Sequence, residues 1–147
     1  MRAALLAAGV SIDVQEFGAS TRTAEEAAAA VGTTVGQIVK SLVFGAGDHA
    51  VLALVSGSNR VDLQKLELLT GKSVRKADAS FVRQATSYAI GGVPPIGFPS
   101  PVTTYIDRDL LRYAEVWAAA GTPRHVFKIA PAELVRLTGG TVADLSE

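Results

Sequence analysis

The run Val51-Leu52-Ala53-Leu54-Val55 constrains this chain more than any other segment. Every residue in it is apolar, and a strand sends successive side chains to opposite faces. Such a strand has to be covered on both sides. Ahead of it stand Ile38-Val39-Lys40-Ser41-Leu42-Val43-Phe44 and then Gly45 to Asp48. Two runs of this kind joined by a glycine-containing turn predict a hairpin whose second strand is central in a sheet.

The sequence marks where the covering helices begin. In Thr23-Ala24-Glu25-Glu26 the threonine hydroxyl and the second glutamate can satisfy each other's orphan backbone donors. The alanine run Ala27 to Ala30 continues that helix and Gly32 ends it. Leu63, Leu66 and Leu69 recur at helical spacing between an Asp62 cap and Gly71. Asp78 opens a helix reaching about Ala85, and Pro131 opens a last one through Leu137, closed by Gly139-Gly140. Ser73 to Lys76, Val102 to Ile106, Glu115 to Ala119 and Val126 to Ile129 read as further strands. Helices and strands alternate irregularly, so the class is α/β or α+β, a mixed sheet with helices packed around it.

With 147 residues, 48% of them hydrophobic, and no repeat or long polar linker, the chain is expected to form one domain over 1–147. It has no cysteine. That excludes disulfides, thiolate catalysis and cysteine-ligated zinc, and fits a reducing compartment. Met1 to Gly9 resembles the start of a signal peptide, but its apolar run is too short and the strand-like Asp13 to Glu16 follows directly. It is read as a short helix. No stretch approaches a membrane span, and the expected location is cytoplasmic. Fourteen basic and fourteen acidic residues cancel, which argues against a broad nucleic-acid-binding face. An RNA partner would have to be held locally, at a terminal nucleotide.

Three segments can carry chemistry. Lys40 interrupts an apolar strand and shares a face with Ile38 and Leu42. If that face is covered, the ammonium needs a partner or a ligand; on an edge strand its stem would instead snorkel to water. Ala89-Ile90-Gly91-Gly92-Val93-Pro94-Pro95-Ile96-Gly97 is a loop that can approach a ligand closely and hold its shape, or an ordinary rigid connection. Gly57-Ser58-Asn59-Arg60-Val61-Asp62 follows the central strand, a common ligand position, and Arg60 can hold a phosphate or pair with Asp62. His49 and His125 lack ligand-like spacing, so no metal is called for. Ser56 and Ser58 lack a nucleophile-elbow context. Trp117 belongs to the core or to a pocket wall.

In order along the chain, these pieces resemble the YbaK/ProX (aminoacyl-tRNA synthetase-associated) domain. Thr21 to Ala28 followed by Ile38 to Phe44 is similar to its opening, and Leu54 to Asp62 to its next strand, loop and helix start. Gly92 and Pro95 stand at the two ends of a loop similar to the family's glycine-x-x-proline loop, and Gly121-Thr122-Pro123 through Gly140 matches its close. The resemblance spans nearly the whole chain.

It implies a mixed sheet, or partly closed barrel, surrounded by helices, homologous to the editing insertion of bacterial prolyl-tRNA synthetases. It implies hydrolysis of the ester between a wrong amino acid and the terminal adenosine of a tRNA, with alanine, cysteine, serine or threonine as the amino acid removed. Lys40 corresponds to the residue most tied to activity. Gly91, Gly92, Val93, Pro94 and Pro95 correspond to the substrate loop, with Gly57, Arg60, Arg22 and Gly121 as further substrate contacts; Arg60 and Arg22 would meet RNA phosphate. No cofactor is implied, and a synthetase is an expected partner. Pro94 stands where many members carry a small polar residue, and it removes a backbone donor. No appended synthetase or tRNA-binding domain is expected, so tRNA selection would come from this domain or a partner. Two other readings remain: a non-catalytic module that binds a nucleotide, tRNA or a synthetase, and a structural domain with no pocket around Lys40.

Overall fold

The computed structural model describes residues 14–16, 23–90, 92–99, 102–122 and 125–147. The helix expected over Met1 to Gly9 lies outside them, as do Thr21, Arg22, Gly91 and Pro123. In chain order the elements are β1 (Val14–Glu16), α1 (Ala24–Val31), β2 (Val39–Ala46), β3 (His49–Ser56), α2 (Leu63–Thr70), β4 (Val74–Lys76) and α3 (Ala79–Thr86). They continue with β5 (Thr103–Asp107), β6 (Val116–Ala119), β7 (His125–Ile129), α4 (Pro131–Thr138) and β8 (Thr141–Ala143). Short 3-10 turns cover Val35–Gln37 and Arg108–Arg112.

The architecture is a mixed α/β fold with a largely open sheet. A five-stranded sheet runs β4-β2-β3-β5-β8, and a three-stranded antiparallel sheet runs β1-β7-β6. β3 pairs parallel with β5, and β5 parallel with β8; β2 pairs antiparallel with β3 and β4. Among the described residues one parallel bridge, Ile38 with Trp117, pairs the backbones of the two sheets, and Val116, Ala118 and Phe127 share a core with Leu52 and Leu54.

The predicted hairpin forms, in register Val39↔Ser56 through Ala46↔His49. Its turn is tighter than the expected Gly45 to Asp48. Gly45 and Ala46 remain in the strand, and Gly47 at φ 61° opens a two-residue turn with Asp48. Glycine at the first central position suits a turn whose twist matches the strands.

The central strand is covered on both faces, as its composition requires. Leu52 and Leu54 join Val39, Val43, Ile106, Leu110, Phe127 and Leu134 in one core. Val51, Ala53 and Val55 join Phe44, Tyr105, Leu66 of α2 and Leu145 in the other. A third cluster packs Ala27 and Ala28 of α1 on Ile38, beside Trp117. At about 25 cal/mol per Å² of apolar area, each fully buried leucine or valine stabilises the fold by roughly 1.5–3 kcal/mol before its entropy cost.

The helix ends follow the expected chemistry. Thr23 accepts from the Glu26 amide, Asp62 from those of Gln64 and Lys65, and Asp78 from that of Phe81. Gly32, Gly71 and Gly139 close their helices in the left-handed conformation. On α2 the burial is narrower than leucine spacing suggests: Leu66 is fully buried, whereas Leu69 is 39% exposed. The β8 strand and the turn after β5 are elements the sequence reading lacks.

Candidate functional site

The site arises from an interruption in strand pairing. On its outer edge β2 meets β6 only through the bridge at Ile38, and β4 only from Phe44 onward. Among the described residues no strand pairs that edge from Val39 to Val43. Two cavities lie along this gap, of about 600 and 390 Å³, and both are lined by Lys40, Ser41, Leu42, Ile90 and Val93. The larger also takes in Arg60 to Gln64, Lys76 and Glu147. The smaller is walled by Ala27, Ile38, Gly57, Trp117, Ala119 and Val126, with Glu25, Thr122 and His125 at its edge.

Lys40 stands where the cavities meet. Its side chain is half-buried, and Nζ donates to the backbone carbonyl of Asn59. Burial lowers its pKa from the ordinary 10.5, and Arg60 adds to the shift; Glu25 and Asp107 oppose it. The fold combines features of both alternatives read from the sequence: Lys40 lies where the outer edge of β2 is unpaired among the described residues, yet it is half-buried, has a carbonyl partner and borders open cavity.

The loop that holds the ammonium is itself held by Asp107, which is fully buried. Asp107 Oδ2 accepts from the Ser56 amide at 3.1 Å and from Asn59 Nδ2 at 2.8 Å, and Oδ1 accepts from the Asp109 amide at 3.0 Å. Asn59 Nδ2 also donates to Asp109 Oδ2 at 2.8 Å, and Ser56 Oγ to the Gly36 carbonyl at 2.7 Å. Sequence reasoning singles out neither Asp107 nor Ser41. Asp107 directly follows the strand-like Val102 to Ile106, rich in β-branched residues, and an acid continuing such a strand is the signal that could have found it. Ser41 Oγ is the one buried side-chain polar atom among the described residues without a hydrogen-bond partner, and Ser41 lines both cavities.

The glycines expected at the site are fixed by close approach. A Cβ on Gly57 would collide with the Val35 carbonyl oxygen and stand 2.9 Å from Ala24 Cβ. One on Gly92 would stand 2.8 Å from Thr122 Cα and 2.9 Å from its carbonyl carbon. The loop is thus pressed against the β6–β7 connection, where Gly121 takes φ 105°.

Of the other expected residues, Val93 lines both cavities and exposed Arg60 lines the larger. Gly92, Pro94, Pro95 and Gly121 line neither; the first three are buried beneath the site. The Gly92 amide is committed to the Ala89 carbonyl at 2.9 Å, and the prolines have none. From Gly92 to Pro95 this leaves the Val93 amide as the one without a protein partner among the described residues. Gly91 and Arg22 lie outside those residues. His125, set aside as a metal ligand, borders the smaller cavity, 2.5 Å from the Thr122 hydroxyl and 3.5 Å from Glu16. Trp117 is a pocket wall, with the Lys128 ammonium 5.8 Å from its ring centre.

Residues 19–137 match the family model described as the aminoacyl-tRNA editing domain. The chain belongs to that family. A solved structure of a proposed trans-editing enzyme for prolyl tRNA synthetase superposes with a TM-score of 0.95 at 55% identity, covering 99% of this chain and 94% of that one. The protein YwhH of Bacillus subtilis is 34% identical over 123 residues, 83% of this chain and 78% of YwhH. EbsC of Enterococcus faecalis, named as a proposed Cys-tRNA(Pro)/Cys-tRNA(Cys) deacylase, is 30% identical over 126 residues, 84% of this chain and 77% of EbsC. Within this editing domain, then, Lys40 borders two cavities: the larger bears Arg60, Asp62 and Lys76, and the smaller sets Glu25, Thr122 and His125 beside Ala27, Ile38, Trp117 and Val126. No helix among the described residues is long and apolar enough to cross a membrane.

Proposed function

We propose that this chain, acting as one editing domain, hydrolyses the ester of mischarged aminoacyl-tRNA in trans, with Lys40 at the centre of the site. The observation that carries the reading is the half-buried Lys40 ammonium, held by the Asn59 carbonyl at the boundary of the two cavities. The 390 Å³ cavity, with Ala27, Ile38, Trp117 and Val126 on its wall and the Ser41 and Thr122 hydroxyl groups among its lining, suits the small side chain of alanine, cysteine, serine or threonine. The 600 Å³ cavity, with Arg60 and Lys76 on its wall, suits the terminal adenosine and its phosphate. An ester spanning the two would lie against Lys40.

The chemistry asks little of the protein. Water adds to the ester carbonyl carbon, the carbonyl oxygen takes the negative charge, and the ribose oxygen leaves with a proton. Aminoacyl esters are already activated, so holding the carbonyl in place and stabilising its oxyanion supplies most of the acceleration. The Lys40 ammonium and the uncommitted Val93 amide are the two donors available for that charge. Mutagenesis of oxyanion donors elsewhere gives about 10²–10³ in kcat for each.

The test is deacylation of tRNAs carrying alanine, cysteine, serine or threonine by wild type and Lys40→Ala. Release of one or two of these by wild type, lost in Lys40→Ala with the fold retained, is the expected result. Full activity in Lys40→Ala would remove Lys40 from the mechanism. A second reading, a module that binds tRNA or a synthetase without turnover, draws on Pro94 and Pro95, which strip the loop of amides. Tight binding of a mischarged tRNA with no release at excess protein would establish it.

A further inference from the structure

A chain of zero net charge offers no broad attraction for RNA, yet its charges are unevenly matched. Among the described residues Lys65 and Arg108 pair with Asp144, Arg112 with Asp109, Lys128 with Glu115 and Arg136 with Glu133. Among those same residues Lys40, Arg60, Lys72, Arg75, Lys76 and Arg83 have no acidic partner within 4.0 Å. All lie between positions 40 and 83.

Four of these are grouped about the hairpin turn, β4 and the larger cavity. The Lys72 side chain lies over Gly47 at the hairpin turn. Arg75 donates to the Gly47 carbonyl at 3.0 Å and sits 5.6 Å from the centre of the Phe81 ring. Lys76, next on the same edge strand, lines the larger cavity, and Arg60 lines it as well. Lys72, Arg75, Lys76 and Arg60 are all exposed. Lys72 lies in a bend just before β4, with Arg75 and Lys76 at the end of that strand; the group is wide enough to meet more than one backbone phosphate. The nearby acids are Asp48 in the turn after Gly47, Glu67 and Asp78 flanking β4, and Asp62 and Glu147 on the wall of the larger cavity; none lies within 4.0 Å of these cations, and Glu67, Asp62 and Asp78 accept from the amides of Val74, Gln64 and Phe81.

We infer that the β4 edge, from Lys72 through Arg75 to Lys76, is the track along which the phosphates of the tRNA acceptor end run into the larger cavity. This rests on the deacylase reading and adds to it the surface that distinguishes tRNA from a free aminoacyl ester. Phosphate contacts of this kind position a nucleic acid without reading its sequence.

The test compares wild type with Lys72→Gln/Arg75→Gln on two substrates, a mischarged tRNA and the same amino acid esterified to adenosine. Alongside, the Kd for uncharged tRNA is measured between 50 and 200 mM salt. Expected is about a tenfold fall in kcat/KM on the tRNA, carried by KM, with the adenosine ester cleaved at the wild-type rate. The slope of log K against log salt should become shallower by roughly 0.7–0.9 for each phosphate that the variant no longer neutralises. Unchanged kcat/KM on the tRNA overturns the track, and so does an equal fall on both substrates. Because Arg75 packs against Phe81, Lys72→Glu is run as a second variant, and it must by itself raise the tRNA Kd. If wild type cleaves neither substrate, the deacylase reading fails, and the track stands or falls on those Kd values alone.

Discussion

Replacing Asp107 by asparagine changes one atom's chemistry at a fully buried position and leaves its shape alone. The carboxylate accepts from three donors: the Ser56 amide and Asn59 Nδ2 on one oxygen, and the Asp109 amide on the other. An asparagine amide has one acceptor end. With its oxygen toward Ser56 and Asn59, its NH2 faces the Asp109 amide, donor against donor. One charge-assisted bond is lost and the other two weaken, which costs about 2–3 kcal/mol. Alanine abandons all three donors, although Asn59 Nδ2 keeps Asp109, and should cost about 3–5 kcal/mol. That is a large part of the roughly 5–15 kcal/mol expected of a domain.

Urea and thermal unfolding followed by circular dichroism measure this directly. For a chain of this size the asparagine variant should melt about 5–10 °C below wild type. Since Asn59 also holds the Lys40 ammonium, Asp107→Asn should lower kcat on a mischarged tRNA at temperatures where the protein remains folded. A stability within about 0.5 kcal/mol of wild type, or equal losses for asparagine and alanine, would refute the reasoning. Either result would mean that solvent or a rearranged loop satisfies these donors.

Other expectations are equally direct. Gly92→Ala forces the loop off Thr122, an overpacking worth about 1–3 kcal/mol, and Val93 moves with it; kcat/KM should fall at least about tenfold, since small misplacements are costly in catalysis. Gly139→Ala, strained at φ 62° but free of close neighbours, should lower the melting temperature and leave kcat/KM unchanged. Ser41→Ala removes an unpartnered buried hydroxyl, so the melting temperature should hold or rise while the preference among alanine, cysteine, serine and threonine esters shifts; a drop beyond about 4 °C would show that the hydroxyl has a stabilising partner in solution. Lys40 has a folded pKa below 10.5, so the alkaline limb of kcat/KM, after subtraction of spontaneous hydrolysis, should fall below pH 10.5. The same lowered pKa means that folding releases a proton here, so this group's contribution to stability rises with pH from its folded pKa towards 10.5. Unfolding of Lys40→Met should lack that rise.

What could be read from the sequence follows the range of the forces involved. Helix caps at Thr23, Asp62 and Asp78 and the stops at Gly32, Gly71 and Gly139 are decided within a few residues, and each is found where local chemistry puts it. The two-sided burial of Val51 to Val55 is carried by that run's own composition. Alternation also places Lys40 on the face of Leu42, but whether that face holds a ligand or meets water depends on which strands flank β2. That answer lies in a bridge from Ile38 to Trp117 and a pairing from Phe44 to Lys76. Neither pairing leaves a periodic trace in either partner, so the gap between them, and the cavities in it, cannot be seen in one dimension.

Asp107 and the β4 cations show the two ways charge escapes such a reading. Asp107 looks like a surface acid at the end of a strand until its three donors, two of them 48 and 51 residues away, are brought to it. The cations vanish into a net charge of zero because their number is matched elsewhere in the chain. Once folded, five of the eleven described lysines and arginines are matched by acids on other faces. Of the six left over, Lys40, Arg60 and Lys76 line the larger cavity, and Lys72 and Arg75 stand by the hairpin turn next to it. Net charge is a sum over the chain, whereas a phosphate responds to charge within about a Debye length, roughly 8–10 Å. At that range what counts is that Lys72, Arg75 and Lys76 stand without an ion-pair partner among the described residues, whatever the total.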